Sequence, residues 1–160
     1  MNRKLFDYIA ASPSPYHAVA HSAETLRAAG FLPLSEGEDW DLTPGQGYYV
    51  TRNGSSLIAF RARRDFSGFL MTAFHCDSPT FKIKENAELT GSGCRRLAVE
   101  KYGGMLMSTW MDRPLGIAGR VLLRKGSGIE SRLLDLGGEC AVIPNVAIHM
   151  NRKANDGYTW

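Results

Sequence analysis

The sequence predicts an α/β fold in which N-terminal helices pack on a sheet and a β-rich half follows. Two observations predict the first half: helical patterns cover residues 3 to about 29, and residues 68–74, Gly-Phe-Leu-Met-Thr-Ala-Phe, form a nearly continuous apolar run. Such a run is typical of a strand that helices bury on both faces. Alternating patterns without a convincing helix after residue 80 predict the β-rich half.

The two helices are predicted from their apolar spacing and their end residues. Residues 3–11 carry apolar side chains on one face. A second helix is predicted to begin after Ser14, a favourable N-cap, with Pro15 in the first helical position. Gly30 stands where a helix ending near residue 29 needs a left-handed residue.

The strands are predicted from alternation and turn residues. Asn53-Gly54 separates two strand patterns, residues 48–52 and 56–61, and is the strongest short-range signal for a hairpin. Further strands are predicted over residues 31–34, 81–84, 97–100, 117–123, 129–136 and 141–148. The β-rich half is expected to form a second domain, with a boundary near residues 85 to 100. The two predicted domains are therefore residues 1–90 and 91–160.

Composition and charge exclude several classes of protein. The net charge of +3 is spread without a basic stripe or a nucleic-acid motif, so nucleic-acid binding is not expected. No apolar run approaches the roughly 18 residues of a membrane helix, and the N-terminus does not have the pattern of a signal peptide. Three widely spaced cysteines argue against a disulfide framework. We therefore predict a cytoplasmic protein.

The sharpest chemical pattern is His75-Cys76-Asp77, directly after the apolar run. In an extended segment, residues two apart share a face, so His75 and Asp77 are expected to point the same way with Cys76 opposite. A metal-bound histidine usually donates its other ring N–H to a carboxylate or a carbonyl. The spacing therefore suggests a metal site, although His-x-Asp alone is also common in surface turns.

Other polar residues are weaker candidates for a functional role. His17, His21 and Glu24 share one helix face, but the glutamate that a zincin motif needs directly after its first histidine is absent. Two histidines beside a packed helix face are the favoured interpretation. Cys76 cannot pair with its neighbour on a strand, so a buried, unreactive thiol is expected. His149 follows an apolar stretch and, by composition alone, is a polar residue at a strand end.

Blocks in order along nearly the whole chain carry a resemblance to a known family. They are residues 12–19 (Ser-Pro-Ser-Pro-Tyr-His-Ala-Val), 75–79 (His-Cys-Asp-Ser-Pro), 99–104 (Val-Glu-Lys-Tyr-Gly-Gly), 109–121 (beginning Thr-Trp-Met-Asp-Arg-Pro-Leu) and 146–152 (Val-Ala-Ile-His-Met-Asn-Arg). Together they resemble the aspartyl aminopeptidase (aminopeptidase I) family of zinc metallopeptidases. The second block differs from the family's His-Thr-Asp-Ser-Pro only at Cys76.

The resemblance implies a cytoplasmic exopeptidase that removes N-terminal residues from peptides, often acidic ones, with two zinc ions. Manganese or cobalt can occupy such sites. It implies that His75 is a metal ligand, that Asp77 is the catalytic-site aspartate supporting it, and that His149 contacts substrate in a neighbouring subunit. Residues 1–90 then begin the zinc peptidase domain and residues 91–160 the oligomerisation domain. Homo-oligomers from dimers to dodecamers are implied as well.

The length of the chain limits what it is expected to do alone. Family members are more than twice as long, and their bridging aspartate, general base, other carboxylate ligands and last histidine follow the oligomerisation domain. Because zinc needs three or four protein ligands, we expect negligible aminopeptidase activity from these 160 residues alone. The alternative is a non-catalytic oligomerisation module or a truncated gene product.

Overall fold

The computed structural model describes residues 2–91 and 93–157 and divides the chain into two units. One unit contains the described residues up to Asp77 together with Ala118–Asp135. The other contains Ser78–Ile117 and the described residues from Leu136 onward. The division follows contacts in space rather than one cut in the sequence. The domains predicted as residues 1–90 and 91–160 stay a prediction.

Both predicted helices are confirmed in the first unit. Helix α1 spans Asn2–Ala10 and helix α2 spans Pro15–Ala28. Ser14 is extended and caps α2, with its Oγ accepting from a backbone N–H in the first turn at 3.4 Å. Gly30 follows the helix with φ 82°, a left-handed conformation that glycine adopts without a steric penalty. No helix in the described part of the chain is long and apolar enough to cross a membrane.

Helix α2 packs on a three-stranded sheet. The strands are β1 (Leu32–Leu34), β2 (Gly47–Arg52) and β3 (Ser56–Arg61), in that spatial order. β1 is parallel to β2, and β2 forms an antiparallel hairpin with β3. Asn53 and Gly54 in the connecting turn have φ of 52° and 62°, as the hairpin signal predicted.

The core of this unit lies around β2, where Tyr48 and Tyr49 are 4% and 3% exposed. Adjacent side chains on a strand point to opposite faces, so β2 is covered on both. The hydroxyl of Tyr49 accepts from Arg27 of α2 at 2.9 Å, which identifies the helix-covered face. Tyr48 packs against Phe60 on the other face, with ring centroids 5.9 Å apart. Of the two described helices, α2 forms this cover, because none of the described residues of α1 is buried.

A second hairpin, β6 (Ala118–Lys125) with β7 (Gly128–Asp135), completes the first unit. Its Arg120 donates to the carbonyl oxygen of Asn53 at 2.7 Å and to the Asn53 Oδ1 at 3.0 Å. The same guanidinium lies over the ring of Tyr16, 4.2 Å from its centroid. Arg120 therefore joins three elements that are far apart in sequence: α2, the first hairpin turn and β6.

Replacing Arg120 by alanine should destabilise the first unit. The change removes two charge-assisted hydrogen bonds and a cation–π contact, and because these groups are partly exposed we expect a loss of about 1 kcal/mol. Urea denaturation followed by circular dichroism measures the loss as a lower midpoint. Arg124→Ala, on an exposed position of the same strand, is the matched control and should leave the midpoint unchanged. Equal midpoints for the two variants would contradict the role given to Arg120.

The second unit is built from strands and loops, as predicted. β4 (Thr80–Leu89) pairs antiparallel with β5 (Arg96–Tyr102), with an irregularity between Ile83 and Glu88. A short 3-10 helix, Met107–Trp110, follows and packs its tryptophan edge-to-face on Phe81, with centroids 5.3 Å apart. Beyond it, Leu115 and Ala141 exchange backbone hydrogen bonds of 2.9 and 3.1 Å.

Two predicted strands are wrong. Residues 68–74, called here the apolar segment, form no strand, and Phe69, Leu70 and Phe74 are 81%, 103% and 87% exposed. The described residues supply neither neighbouring strands nor helices for its two faces. Residues 141–148 also form no strand, only isolated bridges at Ala141 and Ile143 followed by turns. Pro144 interrupts this segment and has no backbone N–H to donate to a ladder.

Candidate functional site

The ring of His75 is held by Asp77, two residues later. His75 Nδ1 lies 3.0 Å from the Asp77 Oδ1 and 2.9 Å from the Asp77 carbonyl oxygen. A carbonyl oxygen can only accept, so Nδ1 carries the proton and donates to both oxygens. In the neutral ring, the lone pair is then on Nε2.

This tautomer suits a metal ligand. The side chain of His75 is 82% exposed, so Nε2 is open to solvent, whereas the side chain of Asp77 is 37% exposed. A carboxylate that orients a histidine through its second nitrogen is the usual support of a zinc-bound imidazole. The pair predicted from sequence spacing therefore exists, although its segment is irregular rather than a strand.

Cys76 lies between the two residues and bonds elsewhere. Its Sγ donates to the carbonyl oxygen of Ser55 at 3.4 Å, in the loop that follows β2. The prediction that its side chain is buried is wrong, because Cys76 is exposed. The thiol therefore contacts the hairpin loop from a residue directly beside His75.

The helix histidines have local partners. His17 Nδ1 lies 2.7 Å from the Ser14 Oγ, and the ring of His21 packs against Tyr8 with centroids 5.3 Å apart. These contacts fit the interpretation of two histidines beside a packed helix face. Within residues 2–91 and 93–157, no three His, Cys, Asp or Glu side chains are grouped as a metal site requires.

His149 lies in the second unit, in a turn rather than at the end of a strand. The Met150 N–H donates to the Ala147 carbonyl oxygen at 2.8 Å and closes the turn around it. His149 is exposed. The sequence identified this residue only through the family resemblance, and its proposed contact with substrate stays a prediction.

No functional role for Asp112 was predicted from the sequence. It has φ 54°, a left-handed conformation that is uncommon outside glycine. Its Oδ1 accepts from the Asn145 N–H at 2.8 Å. The available signal was an aspartate followed by Arg113-Pro114 in a predicted loop, since aspartate is one of the residues that tolerate such backbone. No sequence pattern predicted that Asp112 would bond to Asn145.

Residues 8–160 match the family described as aminopeptidase I zinc metalloprotease (M18). The chain belongs to this family. The resemblance found in the motifs is thereby confirmed. The α/β fold is confirmed too, since solved M18-type structures superpose on the chain.

Individual relatives give the extent of the match. The chain is 48% identical to the probable M18 family aminopeptidase 2 of Pseudomonas paraeruginosa over 161 residues, 99% of this chain and 38% of the relative. It is 39% identical to a chain in a cryo-EM structure of the Ape4 and Nbr1 complex, with a TM-score of 0.88 over 96% of this chain and 30% of that chain. A structure of the Saccharomyces cerevisiae mApe1 dodecamer is 32% identical, with a TM-score of 0.78 over 92% and 36%.

The chain thus spans little more than a third of the length of the curated relatives that it matches. It corresponds to part of an M18 aminopeptidase, in agreement with the portion predicted from sequence. The described residues bring together one oriented imidazole and one carboxylate rather than a full ligand set.

Proposed function

We propose that this chain is the N-terminal portion of a cytoplasmic zinc aminopeptidase that hydrolyses N-terminal residues, among them acidic ones, from peptides. The observation that carries the proposal is the hydrogen bond from His75 Nδ1 to Asp77, which leaves an exposed Nε2 lone pair. The zinc description of the family supports the choice of metal, and manganese or cobalt would bind through the same nitrogen.

The residues present fit one coordination position. A bound zinc ion supplies an activated water and polarises the scissile carbonyl. His75 offers Nε2 as ligand, and Asp77 fixes the proton on the other nitrogen and the orientation of the ring. Asp77 is placed here as the catalytic-site aspartate that acts through His75. The remaining ligands and the general base have to come from outside the described residues.

We further propose that the complete enzyme is a homo-oligomer in which His149 contacts substrate bound by a neighbouring subunit. Support comes from the exposed position of His149 in a closed turn and from the dodecameric assembly of the yeast structure. The proposal includes neither a nucleic acid nor a membrane among the partners.

A non-catalytic assembly module is the second candidate. It is favoured by one observation, the exposure of the apolar segment, because contiguous exposed apolar side chains usually mark an interaction surface. The two candidate functions predict different results when the rest of an aminopeptidase is supplied to this chain. An assembly module would associate without ever forming a zinc-dependent peptidase.

A chimera tests the two candidates. This chain replaces the matching segment of the Pseudomonas paraeruginosa aminopeptidase 2, which supplies the rest of the enzyme. The chimera, the parent relative and the 160-residue chain are assayed with chromogenic amides of Asp, Glu and Leu after zinc loading. We expect the chimera to cleave at least one amide and the isolated chain to cleave none. A folded chimera of the parent's oligomeric mass that binds no zinc and cleaves nothing would favour the assembly module.

Asp77→Ala in the chimera should lower zinc affinity by roughly 10- to 100-fold, the usual effect of removing an outer-shell partner. The loss stays partial because the carbonyl oxygen of residue 77 still accepts from His75 Nδ1. Competition with a chromogenic chelator measures the affinity. Asp65→Ala, an exposed aspartate of the same unit, is the control. Unchanged affinity in Asp77→Ala would remove Asp77 from the site.

A further inference from the structure

Two loops of the second unit meet shortly before His149 in the sequence. Residues 111–115 lie against residues 141–145, and the contact has two ends. At one end, Leu115 and Ala141 are joined by backbone hydrogen bonds in both directions. At the other end, Asp112 makes two hydrogen bonds to the facing loop.

Asp112 binds two backbone groups of the facing loop. Its N–H donates to the Ile143 carbonyl oxygen at 3.0 Å, and its Oδ1 accepts from the Asn145 N–H at 2.8 Å. The left-handed backbone, with φ 54°, brings the N–H and the carboxylate to the same loop. Such backbone is unfavourable for residues with a side chain, and it persists where surrounding contacts compensate for it.

The anchored loop leads directly into the turn that carries His149. Three residues separate Asn145 from His149. The turn is closed by hydrogen bonds from the Met150 and Asn151 N–H groups to the Ala147 carbonyl oxygen. No strand ladder is assigned within residues 144–149. The turn and the anchor at Asn145 therefore both restrain the backbone that carries His149.

We propose that Asp112 is a positioning residue for His149. It fixes the loop from which the histidine projects, and it acts on substrate only through that histidine. The inference rests on the substrate contact proposed for His149. Because a displacement of about 1 Å in a substrate-contacting group can cost up to 100-fold in rate, a loose anchor has a measurable effect on the reaction.

Kinetics of the chimera test the proposal. Asp112→Ala should raise KM about tenfold or more while kcat and zinc content change little, the pattern of lost substrate binding. Asp112→Asn should stay close to the parent chimera, since asparagine tolerates the left-handed backbone and its oxygen still accepts from Asn145. Asp156→Ala, an exposed aspartate of the same unit, is the matched control. A merely structural residue would instead lower the yield of folded enzyme with an unchanged KM.

A double-mutant cycle separates this inference from the proposal on which it rests. In the His149→Ala background, Asp112→Ala should have no further effect on KM, because the residue that it positions is gone. Independent effects of the two substitutions, or an unchanged KM in Asp112→Ala alone, would overturn the role of Asp112. An unchanged KM in His149→Ala would instead refute the substrate contact, and the positioning role with it.

Amide exchange in the 160-residue chain adds a test without catalysis. Asp112→Ala should accelerate hydrogen exchange of the Asn145 amide, whereas Asp112→Asn should protect it nearly as well as the parent residue. Equal exchange in all three proteins would contradict the anchor itself.

Discussion

His75→Ala is expected to abolish the activity of the chimera. The substitution removes the imidazole that Asp77 orients and leaves zinc with one ligand fewer. Loss of even part of the metal's stabilisation of the transition state, about 4 kcal/mol, corresponds to a fall of roughly a thousandfold in kcat/KM. Zinc content, measured by elemental analysis after dialysis, should fall together with the activity.

The control for this experiment is a histidine of the same unit. The ring of His21 packs on Tyr8, so His21→Ala should keep both zinc and turnover. His149→Ala should keep zinc while changing KM, which separates metal binding from substrate binding. Retention of two zinc ions and full turnover in His75→Ala would show that His75 is not a ligand.

The second large effect concerns the apolar segment. Leu70→Asp in the 160-residue chain should change the free energy of unfolding by less than about 0.5 kcal/mol, because the side chain is fully exposed there. The same substitution in the chimera should cost about 3–5 kcal/mol, the penalty for an uncompensated buried charge. The difference is expected because the rest of the aminopeptidase would cover this segment as a strand buried on both faces.

Sedimentation and urea denaturation measure both sides of this comparison. The parent 160-residue chain should self-associate through the apolar segment, and Leu70→Asp should reduce that association. Asp65→Ala serves as the control in both proteins. A chimera that tolerates Leu70→Asp without loss of stability would show that the segment stays exposed in the larger protein.

Local sequence signals predicted the helices and hairpins, whose contacts are made between residues close together in the sequence. Ser14 and Gly30 bounded α2, and Asn53-Gly54 located the first hairpin, because capping and turn conformations depend on neighbouring residues alone. Strand patterns around β4 to β7 were also sufficient, since each strand pairs with its neighbour in sequence.

Elements that need distant partners were predicted wrongly. The composition of the apolar segment is that of a buried strand, but no described residues cover it. Residues 141–148 have the apolar content of a strand but form only isolated bridges to residues 111–115. Apolar content reports a preference for burial, and pairing requires a partner that the pattern does not name.

In the candidate site, too, the local contact was predicted and the long-range contacts were not. The contact between His75 and Asp77 follows from a spacing of two residues, so the sequence predicted it. The structure adds that Nδ1 is the ring nitrogen in contact with Asp77. Asp112 and Arg120 act over longer separations, 33 and 67 residues from Asn145 and Asn53 respectively. Their hydrogen bonds depend on the fold, and no local pattern marked them.

Zinc titration of the 160-residue chain tests the central claim that these residues supply part of a metal site rather than a whole one. Calorimetry at pH 7 should show no tight zinc binding by the isolated chain, and the chimera should retain zinc that His75→Ala loses. A stoichiometry of two tightly bound zinc ions in the isolated chain, accompanied by aminopeptidase turnover, would contradict the claim.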